Sequence, residues 1–246
     1  MSRGFLGELR FKVPVKTVEY GLAGKRPGLV IVDVLRGFCE TGCGPLAPPV
    51  YDPEMQSMVI LVNSTAHEFY GRKLPIIVLK DLHKPGVPEP PYPTHCEEGS
   101  GQEELMPELK WTEDPRVAEV MPKDCINGFV GGIEGGGHSK VLRWVARENI
   151  DTLVVVGDCT DICVLDFVAT MLSVRNHRIF GDIPLAGKLK DVVVYVPACA
   201  TYDLPRNVAE KLGLPPEAAH PRNIMQHMGL KIMADRGAIL AHELIF

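Results

Sequence analysis

The stretch GLVIVDV at residues 28–34 is an unbroken apolar run until Asp33. A strand of this kind has no polar face to give to water. It must be buried on both sides, as in a parallel sheet covered by helices. The same form returns in PIIVLKD (75–81), DTLVVVG (151–157) and DVVVYVP (191–197), and more weakly in GAILAHELIF (237–246). A further strand is expected near 126–131. Between these runs the apolar period changes to that of a helix. Residues 53–72 place Met55, Met58, Val59, Val62, Ala66 and Phe69 on one face. Residues 138–149 turn Val141, Leu142 and Val145 inward, and residues 162–175 align Val164, Phe167, Val168, Met171 and Leu172. Strand and helix in alternation imply parallel pairing with right-handed crossovers. The expected fold is an α/β three-layer αβα sandwich around a mostly parallel, doubly wound sheet. One domain over 1–246 is expected, with a short N-terminal extension (about 1–26).

The rhythm breaks at 84–118, which holds Pro85, Pro88, Pro90, Pro91, Pro93, Pro107 and Pro115. Only 103–110 reads as a short helix there. A connection this long without regular structure usually has a functional reason. The prolines ahead of His95 stiffen it and reduce what it loses on ordering.

With 246 residues, 46% hydrophobic and 23% charged, the composition is globular and not that of a disordered chain. The net charge of −5 comes with no basic stripe, which argues against a nucleic-acid partner. No apolar run approaches the roughly 20 residues that span a bilayer, and the charged N-terminus does not read as a signal peptide. The seven cysteines are an odd number with no CxxC pair. Reduced thiols in a cytoplasmic protein are expected, so one of them is available as a nucleophile.

In open parallel sheets, ligands bind beyond the carboxyl ends of the strands. The first strand ends at Asp33 and the second at Asp81, followed by His83. The strand at 151–157 runs into CTDIC, where Cys163 opens a helix. In the commonest doubly wound order the first and fourth strands flank the switch point, which brings Asp33 and Cys163 together. Backbone N–H groups and the positive helix end favour a thiolate at Cys163. The apolar setting of Asp33 raises its pKa and suits it to proton transfer. Asp81 and His83 point the same way on extended backbone, and His95 from the following loop offers a third metal ligand. This mixed N/O set suits zinc, iron or manganese. Lys123 has nothing in its own spacing to single it out.

With GLVIVDVLRGFC (28–39), PPYPTHC (90–96), KDCINGFVGG (123–132), VVVGDCTDICVLDFVAT (154–170) and SVRNH (173–177), the chain resembles the nicotinamidase branch of the isochorismatase-like cysteine hydrolases, in its plant-type form. The resemblance runs from about 28 to 242. It implies a catalytic triad of Asp33, Lys123 and Cys163 and a metal site of Asp81, His83 and His95. It also implies a cis Asp158–Cys159 peptide that turns the Cys159 amide into an oxyanion hole shared with the Cys163 amide. Family members often carry an apolar residue where this chain has Asp158.

The activity so implied is hydrolysis of nicotinamide to nicotinate and ammonia, through a thioester on Cys163, at the entry to NAD salvage. One divalent metal, zinc with iron or manganese as alternatives, would hold the pyridine nitrogen, and Phe38 would wall the ring. A homo-oligomer is expected. Two other readings stay open at this point. One is a sibling amidohydrolase acting on another small carboxamide. The other is a catalytically silent binding protein of the same fold.

Overall fold

The computed structural model describes residues 4–177, 179–180, 183–184 and 188–246. The N-terminal part carries α1 (Phe5–Lys12), β1 (Val18–Gly21), β2 (Pro27–Val32), α2 (Arg36–Cys39), α3 (Pro53–Gly71) and β3 (Ile76–Asp81). The middle carries β4 (Glu119–Lys123), α4 (Gly128–Gly131), α5 (Lys140–Arg147), β5 (Thr152–Asp158) and α6 (Cys163–His177). A small hairpin, β6 (Ile179–Phe180) and β7 (Ile183–Pro184), precedes β8 (Asp191–Ala200), α7 (Arg206–Lys211), α8 (Arg222–Asp235) and β9 (Ile239–Ile245).

Among the described residues, seven strands form one sheet in the order β1-β9-β8-β5-β2-β3-β4. Every neighbouring pair in it is parallel. All residues of β2 and β5 are buried, as their unbroken apolar runs require. Side chains then alternate between two cores. Leu29 and Ile31 pack with Met55, Met58, Val62 and Phe69 of α3 on one side. Val30 and Val32 pack with Trp144 of α5, Phe167 and Met171 of α6, and Met233 of α8 on the other. Each such large side chain contributes roughly 1.5–3 kcal/mol when taken fully out of water. Pro53 starts α3, and the Asp52 carboxylate accepts from the amides of Glu54 and Met55, satisfying two otherwise unpaired donors. No helix among the described residues is long and apolar enough to cross a membrane.

Two stretches differ from the sequence expectation. The strand expected near 126–131 lies instead at 119–123, and residues 128–131 form α4. The Asn127 side chain accepts from the amides of Phe129 and Val130, a local cap that wins over the apolar character of the segment. β4 was hidden by its Pro122. It is tolerated because β4 is an edge strand that pairs with β3 alone. In the proline-rich connection, the regular piece is a 3₁₀ helix at Pro107–Glu113 rather than a helix at 103–110. The N-terminal extension is structured in its described part. It supplies β1, which closes one edge of the sheet against β9.

From β2 the chain steps outward through β3 and β4, then returns to β5 on the opposite side of β2. The switch point therefore lies between β2 and β5, and a crevice opens beyond their carboxyl ends. Gly157 makes this junction possible. Its φ is +123°, and a Cβ there would lie 2.1 Å from the Val32 carbonyl oxygen. Gly157→Ala is expected to cost more than the ~1 kcal/mol of an average substitution, because neither strand end can retreat without breaking the sheet. The midpoint of denaturant unfolding measures this, and an unchanged midpoint would contradict it.

Candidate active site

Four adjacent strands deliver the charged residues to one point. Asp33 follows β2 in a left-handed backbone conformation, φ 50°, uncommon for a residue other than glycine. That turn aims its Oδ1 at the backbone N–H of Asp81, 3.0 Å away. Asp81 ends β3, Lys123 ends β4, and the two are register partners. After β5 the Asp158–Cys159 peptide is cis, and Cys163 opens α6 four residues later. The loop between them is tied to the end of β8, where the Ala200 carbonyl accepts from both the amide and the hydroxyl of Thr160. Among the described residues, no backbone carbonyl accepts from the amide of Cys159 or of Cys163.

The Lys123 ammonium lies between two buried carboxylates, 2.9 Å from Asp33 Oδ2 and 2.8 Å from Asp81 Oδ1, and also donates to the Cys125 carbonyl at 3.0 Å. Burial works against its charge, but Asp33, Cys163 and Asp81 outweigh it and hold the ammonium protonated far above the usual range. Burial also pushes Asp33 up, to about 6, with Lys123 opposing and Asp81 adding to the rise. Asp81 is driven the other way. Lys123, His83 and His95 overcome its burial and hold it well below the usual carboxylate range.

Asp33 and Cys163 act on each other's ionisation where β2 and α6 meet. The Cys163 thiol differs from the sequence expectation of a resting thiolate. Burial pushes its pKa well above the usual value, and Asp33 adds to this, while Lys123 only partly opposes. Desolvation of the sulfur outweighs the pull of the ammonium. The shift favours the neutral thiol, with the Asp33 carboxyl among the groups that act on it.

Asp81 also faces outward. Its Oδ2 is 3.0 Å from His83 Nε2 and 3.2 Å from His95 Nε2. The ligand atoms of Asp81, His83 and His95 lie within 4.8 Å of one another, and all three residues are buried. His95 Nδ1 donates to the Pro93 carbonyl at 2.8 Å, which leaves its Nε2 as the ligand atom. Two imidazoles and one carboxylate fit a divalent ion of the zinc, iron or manganese type. The sequence reading did not single out Glu89. Its Oε2 is 3.6 Å from both Nε2 atoms, while its Oε1 accepts from the Ile126 amide at 2.8 Å.

Both clusters contribute residues to one open cleft. Phe38 lines it, with its ring 5.7 Å from that of His95. So do Cys159, Cys163, Lys123, Asp81 and His95. The lining also includes Leu46, Tyr92, Ile126, Ile162 and Tyr202, none of which the sequence reading named. For two of them a signal existed. Tyr92 sits inside PPYPTHC, and Tyr202 lies just beyond the carboxyl end of β8, where the strand-end rule would have pointed.

Fold and site together define an α/β enzyme class with a half-buried thiol beside a buried ammonium and two buried carboxylates at the switch point of a parallel sheet. The chain belongs to the isochorismatase family, whose domain model matches residues 27–208. It is 43% identical over 241 residues to Nicotinamidase 1 of Arabidopsis thaliana, covering 97% of this chain and 96% of that protein. Nicotinamidase from Bacillus subtilis shares the fold at a TM-score of 0.62 and 16% identity, over 88% of this chain and 99% of that one. Pyrazinamidase of Pyrococcus horikoshii, solved in complex with zinc, does so at 0.58 and 18%, over 87% and 98%.

Lys123→Met would remove the only cation between Asp33 and Asp81 while keeping much of the side-chain volume. Breaking a buried ion pair from one side typically costs about 3–5 kcal/mol, and a loss of that order in equilibrium unfolding is expected here. A variant as stable as the parent would show that the ammonium does not hold the site together.

Proposed function

We propose that this protein is a nicotinamidase, hydrolysing nicotinamide to nicotinate and ammonia. The observation that carries the reading is the convergence of Lys123, with Asp33 bound behind it, and Cys163 on a cleft that Asp81 and His95 of the Asp81, His83 and His95 cluster also line. The near full-length likeness to the Arabidopsis protein supports nicotinamide as the substrate.

The sequence of steps follows from the resting protonation states. Asp33 takes the Cys163 proton as the sulfur attacks the carboxamide carbon, forming the C–S bond. The carbonyl oxygen becomes an oxyanion, met by the backbone N–H groups of Cys159 and Cys163. Asp33 returns the proton to the amide nitrogen, the C–N bond breaks and ammonia leaves, with a thioester on Cys163. Asp33 then takes a proton from water as it attacks the thioester carbon. Nicotinate is released as the C–S bond breaks and the thiol recovers its proton. Lys123 holds Asp33 and Asp81 in place and offsets the negative charge that develops. A pKa near 6 leaves Asp33 strong enough to accept a proton and weak enough to give it back.

Asp81, His83 and His95 would hold one divalent ion, zinc by preference, with iron or manganese as alternatives. When bound, the ion supplies a Lewis-acid anchor for a donor atom of the ring. Phe38 and Tyr92 offer the ring apolar and aromatic surface. The same reading takes the chain as a single domain that works in the cytoplasm as a homo-oligomer, at the entry to NAD salvage. A small neutral amide needs no electrostatic recruitment, which fits the absence of a basic stripe.

Two measurements test this. Cys163→Ala should release no ammonia from nicotinamide while still binding it, as read by isothermal titration; full activity in that variant would sink the nucleophile assignment. The double variant His83→Ala/His95→Ala should lose its bound metal in elemental analysis. Undiminished metal content would reject that site.

A further inference from the structure

One polar cluster beside the cleft plays no part in the steps above. His220 is buried, between the chain that follows β8 and the loop that carries the nucleophile. Its Nε2 is 2.8 Å from Asp161 Oδ2, in the CTDIC loop two residues ahead of Cys163. Its Nδ1 is 3.1 Å from the Tyr202 carbonyl oxygen. Both ring nitrogens thus face acceptors. The ring itself lies under that of Tyr202, with centroids 3.9 Å apart and planes 14° from parallel. Tyr202 in turn lines the cleft with Cys159 and Cys163.

The surroundings fix this arrangement from several directions. Leu204 and His220 exchange both backbone hydrogen bonds, at 2.9 and 2.7 Å, which closes residues 204–220 into a loop. Arg222 donates to the Thr201 carbonyl at 2.7 Å and, through its amide, to Asp203 at 2.9 Å. From the far side, Gly229 of α8 approaches so closely that a Cβ there would lie 2.7 Å from Asp161 Cβ. A tyrosine on an unsupported loop would pay rotamer entropy to meet a ligand. Here one ring face is already covered by an imidazole that is itself anchored to the nucleophile loop.

We propose that His220 is a positioning residue: bridged to Asp161 and stacked under Tyr202, it holds the Tyr202 ring as a pre-set wall of the cleft and so sets the affinity for a flat aromatic amide. This rests on the nicotinamidase reading and deepens it. The segment after β8 becomes part of the substrate site, and its contribution falls on binding rather than on the chemical step.

The experiment is steady-state ammonia release from nicotinamide by the full-length protein, its Tyr202→Ala and His220→Ala variants, and the double variant. Each single variant should raise KM about five- to ten-fold, the worth of one aromatic contact. Their kcat values should stay within about two-fold of the parent, since no transition-state contact is removed. The double variant should be no worse than either single one, because His220 acts through the Tyr202 ring. The rate of Cys163 alkylation by iodoacetamide should be unchanged throughout. If His220→Ala does not fold, His220→Gln, which keeps a donor for Asp161 but has no ring, is read in the same way. An unchanged KM, or effects that multiply in the double variant, would overturn the inference and leave the nicotinamidase reading standing. A parent protein that releases no ammonia from nicotinamide would overturn that reading and the inference with it.

Discussion

A single ammonium, shared by two carboxylates, is the interaction on which this site depends. Asp33 and Asp81 lie at the ends of neighbouring buried strands, where two bare negative charges would repel strongly in low dielectric. Lys123 resolves that conflict by reaching from the next strand to both. The cluster therefore needs β2, β3 and β4 in their native register, since a shift of one residue would turn Asp81 or Lys123 to the other face of the sheet. The left-handed turn at Asp33 belongs to the same constraint. It spends backbone strain to bring one carboxylate back over the strand end.

Asp81 divides its two oxygens between two tasks. Oδ1 belongs to Lys123 and through it to Asp33, while Oδ2 belongs to the pair of histidines. The thiol side and the ligand-binding side are thus electrostatically one network. The raised pKa of Asp33 comes from burial, moderated by the same ammonium. The neutral resting thiol is the corollary. A permanent thiolate would add a third anion beside two carboxylates that already share Lys123.

Much of this was legible in the sequence, for physical reasons. Strands buried on both faces announce themselves as unbroken β-branched runs, so β2, β3, β5 and β8 were readable to within a few residues. Asp33, Asp81 and Cys163 stood out because they occupy strand ends in a topology that places ligands there. β4 was not readable, because an edge strand is half-wet and tolerates Pro122, and Lys123 went unmarked along with it. Only the likeness to a family brought that lysine forward. The ionisation of Cys163 could not be read either, because desolvation is a property of the assembled site. Glu89, Tyr202 and His220 act through contacts between segments far apart in the chain, which no local pattern records.

The edge position of β4 has a consequence for when the site exists at all. An outermost strand, paired on one side only, is the part of a sheet that opens most cheaply in native-state fluctuations. When β4 lifts away it takes the ammonium with it, and the two carboxylates left behind repel. The charge cluster thus acts as a latch between sheet integrity and chemistry. The charge cluster and the completed sheet edge are parts of one structural unit.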